Sequence, residues 1–154
     1  MGFNIAGLLM KSQMTEQQIE DFLETKITYS STVDFEEATS GSRDQNTIDV
    51  LQTDSGTLII TELGQLYDIT DFEGEIIQFM ISDVSDTYYF EKYNNKVLER
   101  KYIYSQGEIA EDEGSGIITE DAEILDLVWE FADHYLQNDF TKNLFSQKFK
   151  RYQI

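Results

Sequence analysis

From Ile27 to Tyr104 the chain is a succession of β-branched and aromatic runs of strand length, parted by turn residues. That pattern restricts the segment to an antiparallel sheet built from hairpins. The clearest hairpin is TIDVLQTDSGTLIITEL, where Asp54, Ser55 and Gly56 lie between two alternating runs and the spacing predicts φ > 0 at Gly56. A second is TYYFEKYNNKVLERKYIY, whose tip falls on Asn94 and Asn95, the residues there that best tolerate a left-handed backbone. Between the two, LYDITDFEGEIIQFMIS predicts a short and a longer strand parted near Glu73 and Gly74. Phe3 to Met10, apolar and brief, reads as a strand as well.

Helical spacing enters at the two ends. TEQQ, Thr15 to Gln18, has the capping-box form, and Ile19, Phe22 and Leu23 then share one face while Glu20, Asp21 and Glu24 take the other. A short helix is predicted near residues 16 to 25. After Gly116 the period changes: Thr119 fits an N-cap, Glu120, Asp121 and Glu123 suit a helix N-terminus, and Ile124, Leu127, Val128, Phe131 and Tyr135 form a stripe. Leu125, Trp129, Ala132 and Leu136 widen it, so a long helix near 120 to 137 is expected to cover the sheet, with Phe131 in the core. Leu144, Phe145 and Phe149 in the tail suit a further short helix. No repeat or linker divides the chain, so the expectation is a single α+β domain over residues 1–154. Its antiparallel sheet has about five or six strands, packed by a short N-terminal helix and a long C-terminal one.

Composition narrows the chemistry. Ten Phe, nine Tyr and one Trp in 154 residues are ample for a core without metal or disulfide support. Eleven basic against 30 acidic residues give a net charge of −19, which repels phosphate backbones and anionic lipid, so neither nucleic acid nor a membrane is an expected partner. Lys142, Lys148, Lys150 and Arg151 all fall in the last 13 residues, which hold no acid. The absence of Cys excludes disulfides, thiolate nucleophiles and zinc–thiolate sites. MGFNIAGLLMKSQ has no positive charge ahead of its short apolar run and no cleavage pattern, and the expected location is the cytoplasm.

EIAEDEGSGIITEDAEILD, Glu108 to Asp126, carries eight carboxylates and no base. Aligning Gly116 with the glycine of a calcium-binding EF-hand loop puts Glu111, Glu113 and Ser115 at ligand positions, but the closing bidentate position falls on Ala122. The only histidine, His134, has Glu130 and Asp133 nearby in a chain where some acid is always near, so the reading is a partly exposed helical residue. SSTVD and SDVSD lack the glycine-flanked elbow of a serine nucleophile. Asp71 with Glu73, or Glu36 with Glu37, are the carboxylate pairs a glycoside hydrolase would need, and nothing selects them. No catalytic residue, metal or cofactor is therefore expected.

Tyr88, Tyr89, Tyr93, Tyr102 and Tyr104 crowd the second hairpin, and because strands alternate faces, only part of that set enters a core. Tyrosine among carboxylates gives rigid contact area with a polar tip, and the acids speed encounter with a basic partner. The candidate partner-binding residues are Glu108, Glu111, Asp112 and Glu113 of the acidic bend, with Tyr89, Tyr93 and Tyr102 of the hairpin.

Taken whole, this acidic, cysteine-free, single-domain profile resembles the small immunity proteins that bacteria encode beside toxic effectors. The resemblance covers the chain as a whole and involves no motif. It implies a non-enzymatic protein whose anionic, tyrosine-bearing surface occludes the active site of a basic toxin. A phage-type DNA mimic directed at a nuclease or restriction enzyme, an adaptor for a basic peptide and a carboxylate-dependent hydrolase are the alternatives. Oligomeric state is open.

Overall fold

The computed structural model describes residues 4–118 and 123–154. Its centre is a nine-stranded, wholly antiparallel sheet. In chain order the strands are β1 (Asn4–Met10), β2 (Thr28–Asp34), β3 (Thr47–Gln52), β4 (Thr57–Thr61), β5 (Glu75–Ser82), β6 (Thr87–Asn94), β7 (Val97–Ser105), β8 (Glu108–Gly114) and β9 (Lys148–Gln153). Across the sheet they run β2-β9-β3-β4-β1-β5-β6-β7-β8. The helices are α1 (Glu16–Leu23), the one-turn α2 (Phe35–Ala38) and α3 (Ile124–Leu136), with a 3₁₀ segment over Thr141–Ser146.

This corrects the expected sheet of five or six strands under one long helix. Two of the additional strands lie in segments that read otherwise, and a third, β2, carries no strand signal of its own. β2 is TYSSTVD, too polar to show a buried face; β8 is the acidic stretch taken for a bend; β9 is the tail taken for a helix. β8 and β2 are the two sheet edges, where backbone pairing makes a strand and no apolar alternation is needed. β9 has a different cause. It inserts between β2 and β3, sending Phe149 into one core and Tyr152 into the other.

Both faces of the sheet are covered, so the apolar residues form two cores. On the first face Ile5, Leu9, Leu58, Ile60, Phe79 and Phe90 meet Val128, Trp129, Ala132 and Leu136 of α3. Trp129 stacks against Phe35, Phe79 and Phe140 at ring-centroid distances of 5.9, 6.2 and 5.3 Å. On the second, Leu8, Met10, Ile48, Val50, Ile59 and Ile76 meet Ile19 and Leu23 of α1 together with Ile69 of the loop 62–74. That loop holds no strand, so the short strand expected before Glu73 is absent.

The first helix starts as its capping box requires: Gln18 N–H donates to Thr15 Oγ1 at 3.1 Å and Thr15 N–H to Gln18 Oε1 at 2.8 Å. The expected cap of the last helix at Thr119, with Glu120 and Asp121, lies outside the described residues. Within them the helix begins at Ile124, after Glu123, which makes no side-chain cap bond. Phe131 is half-buried and not a full core residue; it leans on Phe90 and Tyr135, with Lys92 Nζ 5.9 Å from its ring centre.

Two turns differ from expectation for identifiable reasons. Gly56 is not among the residues with positive φ; an added Cβ would stand 2.6 Å from the Tyr135 carbonyl oxygen, so the glycine serves close approach of α3 to the β3–β4 turn. The second hairpin turns one residue later than Asn94 and Asn95, through Asn95 and Lys96 with φ of 50° and 70°. Two consecutive positive φ values are those of a type I′ turn, whose twist matches the strands it joins.

Candidate binding face

Strand alternation sorts the seven nominated residues. Along β6, Tyr89 and Tyr93 share the side of Met80 and Ile76, their cross-strand partners on β5, whereas Phe90 points into the first core. On β7, Ile103 and Lys101 pair with Tyr89 and Glu91, while Tyr102 pairs with Phe90 and packs against the first core. β8 continues the division: Glu111 stands opposite Ile103, Glu113 opposite Lys101, Asp112 opposite Tyr102, and Glu108 opposite Ser105 after a bulge. Glu108, Glu111, Glu113, Tyr89 and Tyr93 therefore share one face, and Asp112 and Tyr102 occupy the other. The nominated set is two sets.

The first of these extends onto a part of the sheet that neither core covers. The second core ends at Ile76 and Tyr93, and beyond it Met80, Tyr89 and Ile103 are half-buried members of neither core. Glu91, unnoticed in sequence, is buried at 6% exposure between the two tyrosines and accepts from Gln78 Nε2 at 2.9 Å. Gln78 in turn clamps the loop, accepting from Tyr67 N–H at 2.8 Å and donating to the Tyr67 carbonyl at 2.8 Å. The signal for Glu91 lay in period two, since residues 89, 91 and 93 of one strand line one side. None of the five hairpin tyrosines is fully exposed; all are half-buried.

Two of the four acids of β8 are paired with bases of the neighbouring strand β7. Glu111 Oε2 lies 3.4 Å from Lys101 Nζ, and Asp112 Oδ1 lies 2.6 Å from Arg100 Nη1. Arg100 also donates to the backbone carbonyls of Glu113 at 2.7 Å and Gly116 at 3.2 Å, pinning the end of the edge strand. The calcium-loop alignment fails for the same reason: Glu111 and Glu113 belong to an extended strand and not to a coordinating turn. Among the described residues no three His, Cys, Asp or Glu side chains are grouped to hold a metal ion. His134 is exposed on α3, its ring 6.1 Å from that of Tyr135. No protein-family model, curated protein or solved structure matches the chain. No helix among the described residues is long and apolar enough to cross a membrane.

Electrostatics mark the face as strongly negative. Burial raises the Tyr89 phenol, and the charges of Glu91 and Glu111 raise it further. Tyr93 is raised by burial and then by Glu91, against the opposing pull of Lys101. On the other face a hydrogen bond to Asp83 pushes Tyr88 up to about 12; in the second core, burial with a hydrogen bond to Glu16 takes Tyr152 to about 12. Tyr135 is raised as well, by burial and by Glu75. These phenols hold their protons in the fold at a pH where the unfolded chain, with ordinary phenols near about 10, releases them. Their contribution is complete below pH ~10 and is lost as pH rises from there through the folded-state values. Melting temperature is thus expected to fall steeply above pH ~10, with phenolate absorbance appearing together with unfolding. Full phenolate titration near pH ~10 in a chain that stays folded would contradict it.

Proposed function

We propose that the chain is a non-enzymatic, acidic binding protein that neutralises a basic protein partner, in the manner of an immunity protein, by laying the open face of β5–β8 over the partner's active site. The observation that carries this reading is one contiguous surface. Met80, Tyr89 and Ile103 supply apolar area left outside both cores and continuous with Tyr93 at the margin of the second, Glu108, Glu111 and Glu113 flank it with negative charge, and Glu91 lies buried within it. Interfaces favour tyrosine at a desolvated centre with a polar rim, and an anionic rim selects and steers a cationic partner. Lys101 holds Glu111 in place and leaves Glu113, opposite it across the strands, free of any ion pair among the described residues.

Charge and contact separate kinetically. Glu111→Gln with Glu113→Gln is expected to slow association with the partner by roughly tenfold at low salt and much less at high salt. Tyr89→Ala removes an anchor worth about 2 kcal/mol, raising the dissociation rate roughly thirtyfold, whereas Tyr102→Phe, on the opposite face, leaves it unchanged. The partner is sought as the product of an adjacent gene, co-expressed and scored for relief of toxicity, and then measured by surface plasmon resonance. Unaltered rates for both Tyr89→Ala and the double glutamine variant would remove this face from the interface.

A further inference from the structure

A second anionic feature lies on the same side of the sheet, and no sequence segment contains it whole. Between α1 and the loop 62–74 opens a groove of about 580 Å³. Met14 and Leu23, both buried, form its floor, and Phe22 and Phe72 form an edge-to-face pair in its wall, ring centroids 5.9 Å apart, with Tyr67 beside them. Asp21, Glu24, Asp68, Asp71 and Glu73 line it as well, and no basic residue does.

These carboxylates differ from Glu111 and Asp112 of β8, because none is in an ion pair among the described residues. Asp21 accepts from Gln17 Nε2 at 2.9 Å, and Asp68 accepts from Thr70 N–H at 3.0 Å and Thr70 Oγ1 at 2.6 Å, all neutral donors. Nor do they converge as metal ligands; among the described residues no such grouping exists. Dispersed anions around an aromatic wall suit a cation that carries its own apolar length. Arginine and lysine have that form, with a methylene stem that lies on apolar surface and a charged head that seeks carboxylate or the face of a ring. The volume falls within the range of true ligand sites, roughly 300–1,000 Å³.

We propose that this groove receives an extended basic segment of a protein partner, one arginine or lysine stem lying against Phe22 and Phe72 with its cation among Asp21, Asp71 and Glu73. The groove adjoins the open face of β5–β8: Tyr67, in its wall, is bonded through both backbone groups to Gln78, which bonds Glu91. A partner lying on that face reaches the groove without leaving the surface. The inference rests on reading the protein as an acidic partner-binding module, and its test is separable from that of the open face.

The full chain, labelled with ¹⁵N, is titrated with an oligoarginine peptide, with a neutral glycine–serine peptide and with spermine. The expected result is amide shifts concentrated in residues 12–24 and 67–73 for the arginine peptide, none for the neutral one, and weaker binding of spermine. Asp21→Asn with Asp71→Asn and Glu73→Gln, all at exposed positions, is expected to weaken the peptide at least roughly tenfold, and Phe72→Leu is expected to weaken it less. The Glu111→Gln, Glu113→Gln chain should keep the groove shifts. Shifts spread over all exposed acids, or an unaffected triple variant, overturn the groove; spermine binding as tightly as the peptide overturns a protein segment as its occupant. Absent groove shifts in a chain whose partner association still slows on loss of Glu111 and Glu113 overturn the groove alone. Groove shifts with partner kinetics indifferent to Tyr89 and Glu111 overturn the open face alone.

Discussion

A chain ending at Ser146 is expected to have no cooperative unfolding transition. The eight residues removed include all of β9, the strand between β2 and β3. β2 has no other neighbour in the sheet, and six of its residues are registered on β9 from Thr28↔Gln153 to Asp34↔Lys148. β3 loses the pairs Thr47↔Gln153 through Val50↔Lys150. Phe149 leaves the first core and Tyr152 the second, so neither face of the sheet is left intact. Burial of Phe149 alone is worth about 3–5 kcal/mol by the cost of truncating a core phenylalanine, a large part of a total that for most domains is about 5–15 kcal/mol. Circular dichroism and urea titration decide it: a truncated chain with native β signal and a sharp transition would mean that β1 and β3–β8 fold without their C-terminal strand.

Asp49→Ala is expected to cost about 3–5 kcal/mol, because it leaves the buried Arg43 guanidinium without its carboxylate and Arg151 with Asp44 alone, at the rim. Asp49 has a fully buried side chain and accepts from Arg151 Nε at 2.7 Å, Arg151 Nη2 at 3.0 Å and Arg43 Nη2 at 2.8 Å. The Arg151 and Arg43 side chains are only 7% and 10% exposed. The hydrogen bonds of Asp49 raise the Arg151 pKa over the opposing effect of burial, and Asp44 adds to them from the rim. Asp49 and Arg151 are direct cross-strand partners, so the ion pair also fixes the register of β9 on β3. Arg151→Met is expected to be milder, since Asp49 keeps Arg43 and the replacement fills the space with apolar atoms. In urea the midpoint should fall with the slope unchanged for Asp49→Ala. A loss below about 1 kcal/mol would mean that water reaches the pair and screens it.

The residues around Asp49 show where local reading stops. KFKRYQ has its apolar residues three apart, which fits one turn of helix, and a charge at Arg151 where a buried strand should have none. Both signals mislead for one reason. A strand in the middle of a sheet covered on both faces sends successive residues into two different cores, so Phe149 and Tyr152 need not share a side. Arg151 enters the first core only because Asp49 waits there, 102 residues away in sequence. At β8 the reverse holds: EIAEDEG is exposed at every position and has nothing to bury, so no apolar periodicity announces a strand held by backbone pairing and by ion pairs to Arg100 and Lys101.

What the sequence determined by itself is the antiparallel character, the hairpin at Asp54 to Gly56, the cap of α1 and the apolar stripe of α3, since each depends on neighbours within one turn or one strand. It also determined that only part of the tyrosine set of the second hairpin enters a core, because alternation within a strand is a local rule. Tertiary structure decided the rest. The width of the sheet depends on edge strands and an inserted C-terminus that only backbone partners and a distant aspartate specify. The division of Glu111 and Glu113 from Asp112 follows from the pairing of β8 on β7, and the groove between Phe22 and Phe72 joins segments some fifty residues apart. Such features arise from packing across the chain, and no window of sequence contains both of their halves.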